Sequence, residues 1–427
     1  MEECVFISEK EDSNLGKSYK PKFMEWGIIT KENFKSIHDV PLKRWDPLST
    51  AMISTNEFGL HKKQDRHYGH YAYLSPIRGK RPIGYNLREK KSEIKAISIK
   101  EFKEDMDVFT AVMEGKPIYN DEGALIGDGF TIIITEDEKK RDKPFHETPH
   151  RIKRIPDSCK AITLINRYPA MARIVDRDIK QLIEKQLPTG SKLAEGINLV
   201  TVSRDFYPSL RFDFIPEEVL TAIFLSMKEA ILYSILEAVE RDYYDIPISP
   251  FFNIGSKVGG SQPRIHSQVY VDLNGDGHGS RLEGFLRAFK EMGDSCHLCE
   301  TTHGESNRIV LETRFWTFYV AGSPVRNYHL RLHPNEHIRR FSQLKINQMQ
   351  DLAKSLKIIF KALDDLNVDE NRNIIFNCCP YGYDADFHLF GDIIPHEIIG
   401  GAEMADDMRV ARKMPEHVAA EIRKLIS

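Results

Sequence analysis

Residues 251–270 read FFNIGSKVGGSQPRIHSQVY. A strand-like run gives way to a glycine-rich turn, and the chain then re-enters an alternating run, HSQVYVDL (266–273). Strand periodicity puts Arg264, His266 and Gln268 on one face. Gly255, Gly259, Gly260 and Ser261 are small enough for backbone amides to approach a bound anion closely. Taken alone, HSQ is equally the pattern of a core histidine with a satisfied hydrogen bond, so its surroundings have to decide.

Upstream, INLVTV (197–202) has the composition of a buried strand, and Pro216 opens a long amphipathic helix reaching about Arg241. Downstream the same order returns. FWTFYVAG and NYHLRLH read as strands, 345–366 as a long helix, and NIIFN and DFHLFGDII as strands. Asn253 of FFN matches Asn377 of IFN in this second copy, and such self-similarity argues for two related α+β halves. Residues before about 145 alternate short β-like runs with charged loops, and 135–154 read as a solvated connection.

The chain has 427 residues, too many for one ordinary core. Its 60 basic and 63 acidic residues nearly cancel, so overall charge points neither to nucleic acid nor to a membrane surface. No apolar run stands out at the roughly 18 residues of a spanning helix, and the start MEECVFISEKEDSN has neither a basic region nor an apolar stretch. A cytoplasmic protein is expected. The six cysteines are sparse and partly adjacent, unlike a disulfide framework, and Cys296-x-x-Cys299 reads as a metal knuckle or a redox pair.

RWDPLST (44–50), SPIRGKRP (75–82), ETPHRI (147–152), LINRYPAM (164–171) and the opening stretch occur in the order of the corresponding segments of galactose-1-phosphate uridylyltransferases. CHLCE, RIVLETRFW, HPNEH, DFHLF, GGAEM and PEHVAAEIRK continue that order to Lys424. The chain therefore resembles that family, the two-lobed branch of the histidine triad superfamily. The resemblance implies an α+β fold of two tandem histidine-triad-like halves, with antiparallel sheets and packed helices, behind an extended β-rich N-terminal segment. The expected divisions are 1–150, contributing to a nucleotide pocket, 151–290, carrying the catalytic histidine, and 291–427, carrying a zinc site. A homodimer is also implied.

Two departures are informative. The family's active segment has a metal-binding histidine followed two residues later by the nucleophile; here these positions are Arg264 and His266. The family's CxxC is KPFH (143–146), and its next metal histidine aligns with Phe206, so a metal-free first half is expected. An arginine cannot ligate in its charged state, but it can pair with a carboxylate and replace a metal cross-link by hydrogen bonds. In the second half the metal position is His388 and the nucleophile position is Phe390. Cys296, Cys299, His337 at a strand end and His388 on a neighbouring strand then form a closed Cys2His2 set, which suits structural zinc.

By resemblance His266 is the nucleophile and Gln268 a donor to the phosphoryl oxygens, where hydrolytic histidine triad proteins generally have histidine. An imidazole can attack an α-phosphorus and hold the nucleotide as a phosphoramidate. Arg78, Arg81, Asn166, Asn253, Gly259, Gly260 and Ser261 are the implied nucleotide pocket, and arginine forks fit phosphate geometry. RGKRP is also readable as a solvated basic turn, and Asn166 as a turn former. Glu403 matches the family's hexose-binding glutamate, whereas Glu397 and Ala402 stand in place of a lysine and a tyrosine.

Three functions follow from these residues. The first is transfer of a nucleoside monophosphate between a nucleotide sugar and a sugar phosphate. The second passes the nucleotide to phosphate or water, as in a nucleotide-sugar or dinucleoside-polyphosphate phosphorylase or hydrolase. The third is a non-catalytic nucleotide-binding protein. Finally, DLNGDGHGSRLE (272–283) fits a calcium-loop pattern through Asp272, Asn274, Asp276 and Glu283. A strand enters it instead of a helix, so a turn before the helix RLEGFLRAFKEM is expected and calcium is not.

Overall fold

The computed structural model describes residues 3–8, 40–46, 51–54, 65–68, 71–80, 109, 131–136, 160–166, 168–171, 177–274, 279–293, 295–304, 306–383, 385–405 and 409–426. Arg81, Arg167 and Asp276 lie outside them. Eleven strands form one sheet: β1 (Glu3–Ser8), β2 (Thr131–Glu136), β3 (Ala161–Ile165), β4 (Gly196–Ser203), β5 (Ile248–Ile254), β6 (His266–Asp272), β7 (Ile309–Glu312), β8 (Trp316–Val320), β9 (Leu330–Pro334), β10 (Arg372–Asn377) and β11 (Phe390–Pro395). Their order is β1-β2-β3-β4-β6-β5-β10-β11-β9-β8-β7, with every pairing antiparallel.

The helices are α1 (Arg177–Glu184), α2 (Glu217–Glu240), α3 (Ser280–Glu291), α4 (His297–Gly304), α5 (Ile346–Asp365), α6 (Gly401–Ala405) and α7 (Pro415–Ile426). The two halves meet where β5 pairs with β10, Asn253 standing opposite Asn373. About this junction the order β4-β6-β5 is answered by β9-β11-β10, with α2 and α5 packed together. The two expected α+β units thus share one continuous sheet.

Helix α2 differs from its reading in the sequence. It is not amphipathic: seventeen of its residues are buried. It is also long and apolar enough to cross a membrane, with mean hydropathy 1.7, and 83% of that apolar window is buried inside the protein. The reason is that it packs against β2, β3, β4 and β6 on one side and α5 on another, so few positions are left for solvent. Its polar Ser226 is satisfied within this core, 2.6 Å from Thr163, which itself bonds Thr201 of β4 at 2.7 Å.

Because Thr201, Val269 and Val271 belong to the side of the sheet facing α2, alternation sends His266, Gln268, Tyr270 and Asp272 to the opposite face. Two short strands of the N-terminal segment, 42–45 and 71–74, reach that face. Strand 42–45 pairs with 71–74 and with 191–193 in a small separate sheet. Lys43, fully buried, reaches Asp272 at 3.4 Å and lies over the rings of Tyr71 and Trp45 at 4.4 and 4.8 Å. Tyr73 donates to the same carboxylate at 2.6 Å. Burial first, and Asp272 next, push the Tyr73 phenol well above its ordinary range. This buried cation, carboxylate and phenol fix strands 42–45 and 71–74 to β6.

Candidate active site and metal centre

His266 begins β6, opposite Val202 of β4. Its Nδ1 lies 2.8 Å from the Arg264 carbonyl. A carbonyl only accepts, so Nδ1 carries the proton and Nε2 keeps its lone pair. The ring is 4% exposed and stands 5.7 Å from that of Phe109. Gln268 follows on the same face opposite Phe251, whose ring meets Tyr270 at 5.2 Å. Arg78 joins the face from the N-terminal segment, donating to the Tyr270 hydroxyl at 3.2 Å and the Tyr168 carbonyl at 3.3 Å.

The glycine-rich turn lies at the end of β5. Gly255 and Gly259 have φ of 92° and 90°, which strains any other residue. At Gly260 a side chain would strike the Asn253 and Gly255 carbonyls at 2.8 and 2.7 Å. Asn253 faces this turn: a Cβ at Gly259 would come 3.3 Å from Asn253 Nδ2. The structure thus puts His266 and Gln268 on one face of β6, Asn253 against the Gly259 turn at the end of the neighbouring strand, and Arg78 farther along the β6 face. Asn166 accepts from the Tyr168 amide at 2.9 Å, the turn-forming arrangement its residue type also allowed. Glu403 sits apart, half-exposed on α6, accepting from the Gly400 amide at 2.7 Å; that bond is the main cause of its lowered pKa. Glu397 accepts twice from Asn327, at 2.7 and 2.9 Å.

Arg264 is not on the strand with His266; it precedes β6 and bridges to Pro208. Among the described residues its guanidinium is met by backbone carbonyls. Nη1 donates to the Ser203 and Arg204 carbonyls at 3.1 and 2.6 Å, and the group lies 5.7 Å from the Phe206 ring. The second half shows what this replaces. His388 stands two residues before β11 as Arg264 stands two before β6, and His337 stands three after β9 as Phe206 stands three after β4. The Ile265 amide donates to Tyr207 O at 2.8 Å, and the Leu389 amide to Ile338 O at 2.7 Å. His388 Nε2 donates to Pro334 O, the end of β9, at 2.9 Å, where Arg264 donates to Ser203 O, the end of β4. His388 and His337 were expected at or on strands; both lie on the adjoining turns.

Cys296, Cys299, His337 and His388 place their ligand atoms within 4.8 Å of one another. Cys296 Sγ and Cys299 Sγ are each 3.4 Å from His388 Nδ1, and Cys299 Sγ is 3.5 Å from His337 Nδ1. Bond lengths of about 2.3 Å to sulfur and 2.0–2.1 Å to nitrogen give a tetrahedron edge of about 3.5 Å, so the four donors fit zinc. The outer contacts agree: His388 Nε2 is held by Pro334 O, and His337 Nε2 is 3.4 Å from Asp386. Burial, with His333 and His337 nearby, holds His388 down at about 3, which keeps it neutral as a ligand must be. Burial and neighbouring Cys296 push the Cys299 thiol up to about 12, so metal uptake has to release its proton.

The second half has no equivalent of the His266 face among the described residues. Phe390 occupies the position of His266, with Phe285 of α3 against it at 4.9 Å, and Phe289 meets Phe387 at 4.6 Å. Asp392, at the position of Gln268, is fully buried and accepts from Arg281 at 2.7 Å, Arg331 at 2.9 Å, His329 at 3.0 Å and Asn377 at 3.2 Å. Burial alone raises a carboxyl pKa; here the His329 hydrogen bond and the arginines prevail and hold it well below the usual range. No sequence pattern marks this cluster, because Arg281 arrives from α3, far away in the chain.

No protein-family model matches the chain. Galactose-1-phosphate uridylyltransferase of Thermotoga maritima is 26% identical over 145 residues, 33% of this chain and 45% of the relative. The enzyme of the same name from Haemophilus influenzae is 28% identical over 119 residues, 27% and 34% of the two chains. The matched stretches therefore span less than half of either relative. A solved uridylyltransferase superposes with TM-score 0.53 at 21% identity, covering 66% of this chain and 87% of that one. An Arabidopsis thaliana ADP-glucose phosphorylase with bound ADP-glucose gives 0.52 at 18% identity, covering 88% and 98%.

The chain has the galactose-1-phosphate uridylyltransferase-like fold.

Within the uridylyltransferase-like fold, the site places a guanidinium where the first half's metal was expected to be absent, and gathers the Cys2His2 donors in the second half. Asp272 of the calcium-loop pattern is engaged by Lys43, Tyr73 and the Asn274 amide at 2.9 Å.

Proposed function

We propose that the protein is a nucleotidyltransferase working through His266. The carrying observation is the Nδ1 to Arg264 carbonyl bond, which puts a proton on Nδ1 and so makes Nε2 the attacking nitrogen of the neutral ring. Nε2 attacks the α-phosphorus of a nucleotide sugar. A P–N bond forms, the P–O bond to the sugar phosphate breaks, and the sugar phosphate leaves with the electron pair. A second acceptor then attacks the phosphoramidate and returns the lone pair to Nε2. Gln268, Asn253 and Ser261 supply donors to the phosphoryl oxygens, already in place before charge develops, while the Gly259 and Gly260 amides hold the turn itself by donating to the Ser256 and Gly255 carbonyls. Arg78 takes the remaining phosphate or ribose contacts of the donor.

Zinc on Cys296, Cys299, His337 and His388 would supply a structural cross-link between α4 and the turns at β9 and β11, with no open position for chemistry. A homodimer is part of the same reading. It is supported by Ile398, Met404, Val410 and Met414, which are 89, 72, 70 and 61% exposed around Glu403.

Phosphate as the second acceptor is the competing version. It is favoured by Glu397, which stands where the resemblance has a lysine and spends its carboxylate on Asn327. A site lacking that cation is poorer for a sugar phosphate. Incubation with ADP-glucose or UDP-glucose, followed by either galactose 1-phosphate or inorganic phosphate, separates the two. Exchange of the sugar phosphate supports transfer, nucleoside diphosphate formed only with phosphate supports phosphorolysis, and neither product with any acceptor contradicts both.

A further inference from the structure

The second half, which has Phe390 at the position of His266, holds the glycine-rich turn of the first. Asn371 Oδ1 accepts from the Lys257 amide at 3.2 Å, and it sits so close to Gly255 that a Cβ there would overlap it at 2.2 Å. Lys257 Nζ pairs with Asp369 at 2.8 Å. Asn373, directly across from Asn253 in the β5–β10 pairing, donates through Nδ2 to Asn253 Oδ1 at 2.8 Å and to the Val258 carbonyl at 3.3 Å. Three side chains from one short segment of the second half therefore grip a turn, GSKVGG (255–260), in which three of six residues are glycine.

The bond to Asn253 does more than hold position. A carboxamide can present either its oxygen or its nitrogen to a given side, and its partner decides which. Asn373 supplies a donor, so Asn253 must turn its oxygen toward the second half and its NH2 toward Gly259. An anionic phosphoryl group in the turn then meets two N–H donors instead of a carbonyl lone pair.

We propose that Asn373 is a positioning residue, contributed by the second half, that sets the orientation of the Asn253 amide and thereby makes the turn selective for the anionic phosphates of a nucleotide donor. The proposal rests on the nucleotidyl-transfer reading. An ionised carboxylate at position 373 accepts and cannot donate. It draws the Asn253 NH2 toward itself, turns the Asn253 carbonyl toward the phosphate, and faces the Val258 carbonyl with a like partial charge.

The test is Asn373→Asp, compared with wild type by calorimetric titration of ADP-glucose and UDP-glucose at pH 8 and pH 5, with thermal midpoints recorded alongside. At pH 8 the variant should bind the preferred donor at least about 10-fold more weakly, as expected when a hydrogen bond to a charged group is lost and opposed. Partial burial against the Val258 and Asn253 carbonyl oxygens disfavours the ionised form and raises the introduced carboxyl above its ordinary value of about 3.9. At pH 5 protonation therefore restores a donor, and the ratio of the two dissociation constants should shrink several-fold. A purely structural role would lower the midpoint and leave that ratio independent of pH. Equal affinities at pH 8, or a deficit of the same size at pH 5, would overturn the role of Asn373 while leaving the functional reading intact. Wild-type protein that binds neither donor would overturn both.

Discussion

At the scale of single residues, Arg264 acts through two different parts. Its carbonyl fixes the His266 tautomer, and its guanidinium ties that stretch of backbone to the ends of β4 through the Ser203 and Arg204 carbonyls. Removing the side chain leaves two carbonyls without their charged donor and loosens the carbonyl on which His266 depends. Arg264→Ala should therefore slow nucleotidyl transfer by about 10- to 100-fold, the scale of one or two charge-assisted hydrogen bonds. Free guanidinium ion at low millimolar concentration should recover part of the rate. A variant whose rate equals wild type, or one insensitive to guanidinium and to methylguanidinium, would show that the side chain does not serve the nucleophile. The pairing of His266 with Gln268 was legible in the sequence, since a period of two is enough to place both on one face. The carbonyl acceptors of the Arg264 guanidinium were not, because carbonyls are carried by every residue and no sequence pattern marks the two that turn inward. Asn373 was hidden for a related reason: its partner depends on strand register, which the NIIFN run does not specify.

At the scale of elements, the repeat of strands and long helices was legible because each strand alternates and each helix is long. The character of α2 was not. An amphipathic reading assumes one face for solvent, and this helix is enclosed by the sheet and by α5. The strand expected at DFHLF begins only at Phe390, since His388 is drawn into the turn that carries the metal donors. That knuckle gives a prediction of its own. Protein purified without chelator should carry about one zinc per chain by elemental analysis. Cys296→Ser should lose it and lower the thermal midpoint by several degrees or more, because the binding free energy of a closed site is folding free energy. Below that midpoint the reactivity of His266 should persist. Full zinc content in the variant, or no metal in the wild type, would remove the cross-link from this description.

At the scale of the whole molecule, one sheet carries two related halves that have diverged in opposite directions. The first keeps a histidine at the head of its central strand and a guanidinium at the metal position. The second keeps the metal donors, places Phe390 at the head of its strand, and is closed over by α3. The two-half architecture could be read from the order of motifs, but the sharing of one sheet through β5 and β10, and the grip of Asn371 and Asn373 on the neighbouring half, belong to the assembled fold. This asymmetry predicts one covalent nucleotide per chain. The most direct measurement is the intact mass of the protein after incubation with ADP-glucose or UDP-glucose and an alkaline quench, with peptide mapping of the product. One added nucleoside monophosphate on the peptide containing His266, stable in base, released by acid and absent from His266→Ala, is the predicted result. An adduct that survives in His266→Ala, or two nucleotides per chain, would contradict it.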